Sequence, residues 1–213
     1  MQKLEQLYEG KAKKVFKTDD PALLIVDYKD DATAFNGLKK GSIAGKGVIN
    51  NQMSNRLMAY LEKQGVEVYY TRESDCELCT ESGGSKKAKD LQKRCQIVEN
   101  VDPDVTISIH QNSYSDAGIS GAQVFYYSTS EKSRLLAEQL QEKLISMVDP
   151  TNHRAAKAND SYYMLRKTVS PTVIVECGFL SNTEEAEKLM KEVYQEKIAQ
   201  AICEGVQKFL HTA

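Results

Sequence analysis

The stretch Thr172-Val173-Ile174-Val175-Glu176-Cys177-Gly178-Phe179 decides the fold of this chain. Its continuous β-branched run, residues 172–175, is typical of a central strand that is buried on both faces of a sheet. A second apolar run, residues 105–109, is followed directly by His110. The His110 imidazole and the Glu176 carboxylate are therefore each predicted at the end of a buried strand. Such a pair is typical of metal-assisted hydrolysis, but the chain has only three histidines and a zinc site needs about three protein ligands.

The pattern beyond about residue 66 predicts an α/β fold with a layered sheet and flanking helices, because strands alternate there with helices. Strands are expected at 66–70, 105–109, 122–127 and 172–175, and helices at 87–100 and 131–148. A capping box at residues 181–184 opens a final helix, whose apolar face holds Leu189, Met190, Val193, Ile198, Ile202, Val206 and Phe209. Residues 1–66 predict a small β-rich segment, with strands near Val15 and at 23–28, and a helix at 48–64 that Gly65 ends.

Length, charge and cysteine content exclude several classes of function. The 213 residues suffice for one large domain or two small ones, and a net charge of -2 gives no reason to expect nucleic acid or an anionic membrane as partner. Apolar runs of about six residues are too short for a membrane span, and the N-terminus lacks the apolar core of a signal peptide, so we expect a cytoplasmic protein. Five cysteines favour reduced thiols. Cys76 and Cys79 have the spacing of half a zinc knuckle, with ordinary loop cysteines as the alternative.

The residues from Val66 onward resemble a known family of hydrolases. The matching text is Tyr70-Thr71-Arg72, Asp90-Leu91 with Arg94, Ser108 to Asn112, Gly121 to Tyr127, Tyr163 to Arg166, and Pro171 to Asn182. It resembles the zinc-dependent N-acetylmuramoyl-L-alanine amidases of bacterial cell-wall turnover, especially the spore-cortex type, whose members are exported or spore-associated. The resemblance implies zinc as cofactor, peptidoglycan as partner, and cleavage of the amide between the muramic acid lactyl group and L-alanine. It implies His110 as a zinc ligand and Glu176 as the general base and acid.

The amidase family takes two further zinc ligands, a histidine and a glutamate, from the segment before residue 66. Residues 1–66 of this chain contain no histidine, and the position expected for the glutamate falls near Lys46, whose ammonium cannot bind zinc. His153 and His211 lie outside any ligand motif. We therefore expect an incomplete metal site and impaired activity. Taken without the motif, His110 would be an ordinary buried histidine and Glu176 a salt-bridged strand end.

Residues 1–66 resemble a second family, the phosphoribosylaminoimidazole-succinocarboxamide synthases (SAICAR synthetases) of purine biosynthesis. The matching text is Leu7 to Val15, Tyr28 to Gly37, and Gly45 to Asn51. In that family the turn Gly10-Lys11-Ala12-Lys13 belongs to the ATP-binding lobe, so the resemblance implies ATP with magnesium as cofactor and weak nucleotide binding as a remnant. A solvated basic hairpin is the alternative interpretation of this turn.

The change of family within residues 60–66 predicts the domain organisation. Residues 1–66 form a SAICAR-synthetase-like fragment with strands and a helix, and residues 67–213 form an amidase-like domain that lacks its first strand. The sequence indicates a fusion of two truncated coding regions. Three functions stay open: an impaired amidase-like hydrolase, an ATP-binding ligase fragment, and a non-catalytic chimera.

Overall fold

The computed structural model describes residues 2–9, 13–19, 24–28, 31–34, 39–42, 46–71 and 86–212. The strands are β1 (Lys3–Glu9), β2 (Lys13–Thr18), β3 (Leu24–Tyr28), β4 (Asp31–Ala34), β5 (Lys39–Ser42), β6 (Thr106–Asn112), β7 (Gln123–Tyr126), β8 (Lys157–Ala158) and β9 (Thr172–Phe179). The helices are α1 (Lys46–Lys63), α2 (Lys86–Val101), α3 (Glu131–Lys143), α4 (Tyr163–Lys167), α5 (Thr183–Leu189) and α6 (Glu192–Thr212), and a π-helical turn at Leu144–Val148 continues α3.

A four-stranded mixed sheet organises the C-terminal part, in the order β6-β9-β7-β8. Strand β9 lies between β6, which is parallel to it, and β7, which is antiparallel. Every residue of β9 is buried, which confirms the central strand predicted from the β-branched run. The predicted α/β fold, with a layered sheet and flanking helices, is confirmed.

The two faces of this sheet are covered by different elements. Val173, Val175 and Cys177 face the main core, to which α1, α3 and α6 also contribute. Ile174 faces the opposite side, where it packs with Phe125 and Leu165 in a smaller cluster. The alternation of β9 between two apolar clusters explains why its sequence shows no polar face.

Helix α1 is part of the main core. It packs against α6 and β6. Its buried side chains recur every four residues, as one face of a helix requires: Ile49, Met53, Leu57 and Leu61. The Arg56 guanidinium reaches α6, where Nε donates to Gln195 Oε1 at 2.9 Å. The segment that precedes residue 66 therefore supplies a core helix to the sheet that follows it.

The remaining N-terminal strands form sheets of their own. β1, β2 and β3 make an antiparallel sheet, and β4 pairs with β5. Within the described ranges none of them pairs with β6, so β6 is an edge strand of the larger sheet. Its outward neighbour position is open in the described part of the chain.

The strand predicted at 66–70 is not formed. Val66 and Val68 pack against the main core, while the residues between and after them are exposed. The segment therefore alternates between core-facing and exposed side chains, as a strand would. A strand needs a hydrogen-bonded neighbour, and residues 66–70 pair with none of the described strands. The end of the segment is instead held by α2, because Arg94 donates a hydrogen bond to Thr71 Oγ1 at 2.9 Å. Arg94 also forms an ion pair with Asp90 at 2.8 Å.

The prediction of one long C-terminal helix is wrong. The helix is broken between α5 and α6 near Met190, and both Met190 and Val193 are exposed rather than on the apolar face. The buried Gln195 amide donates to the Leu189 carbonyl at 2.8 Å and so satisfies the end of α5. The cap also falls one residue later than predicted: Asn182 is the N-cap and its side chain accepts from the Glu185 amide.

None of the described helices is both long and apolar enough to cross a membrane.

Candidate functional site

His110 and Glu176 are neighbours on adjacent strands. They are Cα partners in the parallel register of β6 and β9, so their side chains leave the same face of the sheet about 5 Å apart at the backbone. Glu176 is buried, whereas His110 is exposed. The sequence placed this pair at two strand ends, and the structure brings the two residues together.

A third residue completes a row across the sheet. Gln123 of β7 is the Cα partner of Glu176 on the other side, so the order is imidazole, carboxylate, amide. The Gln123 amide is held at both ends: Nε2 donates to the Ala155 carbonyl at 3.0 Å, and Oε1 accepts from Arg154 Nη1 at 3.3 Å. Gln123 therefore connects Glu176 to the loop that carries Arg154.

Glu176 is buried, and so are parts of the titratable groups near it. Burial raises the pKa of the Tyr162 hydroxyl, and the negative charge of Glu176 raises it further. Burial likewise raises the pKa of the Cys177 thiol well above its ordinary value, again with a contribution from Glu176, although the Gln111 amide opposes the shift. A carboxylate in such surroundings interacts strongly with nearby charges and dipoles.

The residues described do not fit a zinc ion. His110 Nε2 lies 2.9 Å from Ser108 Oγ, within hydrogen-bond distance. No group of three or more His, Cys, Asp or Glu side chains is arranged as a metal site anywhere in the described ranges. His211 Nδ1 contacts the Gln207 carbonyl at the end of α6, and His153 lies in the loop that carries Arg154.

Glu185 fixes the end of β9 next to this row. Its carboxylate accepts the amides of Phe179 at 2.7 Å and Gly121 at 2.9 Å. Burial raises the pKa of Glu185, and these two amide donors partly oppose the rise. Gly178 lets the carboxylate approach, because a Cβ there would lie 2.8 Å from Glu185 Cδ. The turn at 121 and the strand end at 179 are therefore joined through one carboxylate.

Several predicted residues lie outside the described ranges. Gly10, Lys11 and Ala12 of the ATP-lobe turn are among them, as are Cys76 and Cys79. Lys13 is the first residue of β2, and Lys46 is the first residue of α1. The roles assigned to these residues stay predictions.

Sequence reasoning missed Gln123, Arg154 and Tyr162. Gln123 lies within the amidase-like motif Gly121 to Tyr127, but only the pairing of β7 with β9 shows that it lies next to Glu176. Nothing in the local sequence of Arg154 or Tyr162 marks them as neighbours of the site.

The protein therefore has an α/β fold whose central sheet carries an imidazole next to a buried carboxylate, an arrangement typical of hydrolases. The sequence pattern of the N-acetylmuramoyl-L-alanine amidase family matches residues 33–208. The chain belongs to this family. The match begins before α1, so the first core helix lies within it.

Individual relatives agree with this assignment. The chain is 33% identical over 175 residues to the germination-specific N-acetylmuramoyl-L-alanine amidase of Bacillus subtilis, covering 79% of this chain and 73% of that one. It is similar to the structure of the CwlD amidase from Clostridioides difficile in complex with the GerS lipoprotein, with a TM-score of 0.75, 35% identity, and coverage of 85% and 92%.

The second resemblance is also found. The chain is 71% identical over 73 residues to the phosphoribosylaminoimidazole-succinocarboxamide synthase of Lachnoclostridium phytofermentans. This match covers 34% of the chain, and the chain spans only 31% of the length of that synthase. The sequence thus combines similarity to two families, as its motifs predict.

Proposed function

We propose that this chain is an amidase-like hydrolase that recognises peptidoglycan fragments and has impaired cleavage of the muramoyl-L-alanine amide. The observation that carries the proposal is the pairing of His110 with the buried Glu176, on one face of the sheet, in a member of the amidase family. Peptidoglycan as the partner is supported by the family and by the similarity to the germination-specific amidase of Bacillus subtilis.

The impairment follows from the residues around the pair. A buried carboxylate such as Glu176 can take a proton from water that attacks an amide. In metal-dependent amide hydrolysis the metal ion polarises the carbonyl and supplies several kcal/mol of transition-state stabilisation. The described residues contain no group of three or more His, Cys, Asp or Glu side chains that could hold a metal ion, and Lys46 is the first residue of α1. A loss of several kcal/mol corresponds to a rate about 10²- to 10⁴-fold lower.

Muropeptide digestion tests this proposal. The chain is incubated with purified muropeptides and zinc, and the release of free stem peptide is measured by mass spectrometry, with Glu176→Gln as the matched control. We expect slow release by the wild type, about 10²-fold or more below a complete zinc amidase assayed in parallel, and none by Glu176→Gln. Release at the rate of the complete amidase would refute the impairment. Equal release by wild type and Glu176→Gln would refute the role of Glu176.

The N-terminal match carries no second proposal of synthase activity. The chain spans less than a third of the synthase, and Gly10, Lys11 and Ala12 lie outside the described ranges. Weak nucleotide binding and a cytoplasmic location stay predictions from the sequence.

A further inference from the structure

An open cavity of about 310 Å³ lies at the loop that carries Arg154, whose side chain contacts Gln123 of the row on the sheet. It is lined by the turn at Ser120 and Gly121 and by residues of the 149–154 loop, including Arg154. Asn152 anchors this loop, since its side-chain amide donates to the Ala122 carbonyl at 2.9 Å. The cavity wall is therefore fixed to the start of β7, the strand that carries Gln123.

The Arg154 guanidinium is held in place without using all of its donors. Nε donates to the Ser120 carbonyl at 2.7 Å, and Nη1 donates to Gln123 Oε1 at 3.3 Å. The guanidinium carbon stands 4.8 Å from the centre of the Phe179 ring. A guanidinium has five N–H donors, so three have no acceptor among these contacts. Such an oriented fork with spare donors is suited to a carboxylate.

The charge of Arg154 is only partly compensated in the described part of the chain. Its positive charge lowers the pKa of Glu185, but that carboxylate already accepts two backbone amides. Asp149 also lines the cavity, and its Oδ1 accepts from the Thr151 amide and hydroxyl. No described acidic side chain lies within ion-pair distance of Arg154. An incoming anion would therefore meet a preorganised cation.

The position of Arg154 relative to Glu176 determines which part of a bound peptide the guanidinium could contact. Gln123 stands between the two, one strand spacing of about 5 Å from Glu176 and in direct contact with Arg154. Two residues of extended peptide span roughly 7 Å. A peptide whose first amide lies at Glu176 can therefore direct the carboxylate of its second residue past Gln123 towards Arg154.

We propose that Arg154 binds a free carboxylate of an acidic stem peptide and so determines which peptides the cleft accepts. The inference rests on the proposed function, since it assumes that the scissile amide lies at Glu176. Gln123 is a positioning residue here: its Oε1 orients the guanidinium, and its Nε2 ties the strand to the Ala155 carbonyl. The cavity then holds the part of the peptide beyond the carboxylate.

Calorimetric titration tests the proposal with two matched probes in EDTA. One probe is N-acetylmuramoyl-L-alanyl-D-glutamate, and the other is the same molecule with its carboxylates converted to carboxamides. We expect the wild type to bind the acid about tenfold or more tightly than the amide, as a charge-assisted bidentate pair requires. Arg154→Gln should bind both probes equally, and Arg154→Lys should keep only part of the preference. Arg134→Gln, which removes an exposed arginine of α3 paired with Glu131, should leave the preference unchanged.

The outcomes separate this inference from the function on which it rests. Equal binding of both probes by the wild type overturns the role of Arg154 and leaves the proposed function standing, a comparison that needs no variant to fold. Binding of neither probe overturns both. A preference that persists in a folded Arg154→Gln variant assigns the carboxylate to another residue and also overturns the inference.

Discussion

Replacing Leu57 by alanine should destabilise the entire amidase-like fold, although Leu57 lies in the segment that resembles a different family. The side chain is 1% exposed and belongs to the main core. Truncation removes three carbon groups, worth about 2.4 kcal/mol of transfer free energy at about 0.8 kcal/mol each. The cavity left behind adds to this cost, so we expect a loss of about 3–5 kcal/mol.

This loss should appear as a lower midpoint of thermal unfolding. For a chain of this size each kcal/mol shifts the midpoint by about 2–4 °C, so Leu57→Ala should unfold about 6–20 °C below the wild type. Calorimetry and circular dichroism should both show the shift in the transition of the C-terminal sheet. Asn55→Ala is the matched control, because Asn55 is exposed on the same helix and its replacement should shift the midpoint by less than about 2 °C.

A contrary result would identify a separable N-terminal unit. If Leu57→Ala left the main transition within about 1 kcal/mol of the wild type, α1 would not belong to the core that α6 and β9 form. A fragment of residues 67–213 that folds with wild-type stability would have the same meaning. The predicted division at residue 66 would then be a true domain boundary.

Three further substitutions probe the strand end and the junction of α1 with α6. Gly178→Ala should lower the free energy of unfolding by about 1–3 kcal/mol, as measured by urea unfolding. The new Cβ would collide with the Glu185 side chain, which two backbone amides hold in place. An unchanged free energy of unfolding would show that Glu185 can move away. Burial raises the pKa of Glu185, so its contribution to stability is fully present below its unfolded pKa and is lost as pH rises through the folded pKa. Glu185→Gln should flatten the fall in stability that begins above the ordinary glutamate pKa of about 4.3, and an unaltered profile would contradict this sign. Arg56→Ala should cost about 1–3 kcal/mol in the same assay, because it removes the donor to the buried Gln195 Oε1, whereas the partly exposed pairing with Glu192 at 2.8 Å adds little. An unchanged stability would contradict this role of Arg56.

The central strand and the pair on it were predictable because their signals are local. A run of β-branched residues with no polar alternation identifies a buried strand, and residues 172–175 have that pattern. The placement of His110 beside Glu176 followed from the motifs around each. The register that aligns them could not be read from periodicity alone, since it depends on the pairing of two distant strands.

The errors have physical causes in tertiary structure. Val66 and Val68 alternate as a strand would, but pairing depends on a neighbouring strand that the local sequence does not contain. The break between α5 and α6 was missed because Met190 and Ile198, eight residues apart, keep helical spacing across it. A residue beyond the break, Gln195, satisfies the Leu189 carbonyl with its side-chain amide. Arg154 was missed because its position depends on a loop that is fastened to β7.

Zinc titration of the intact chain tests the central claim most directly. The claim is that an amidase fold has been kept while the metal site has lost ligands from the segment before residue 66. Calorimetry of the metal-free protein with zinc should show less than one equivalent bound at micromolar affinity, and His110→Ala should not change the curve. One equivalent bound with micromolar or tighter affinity, abolished by His110→Ala, would contradict the account.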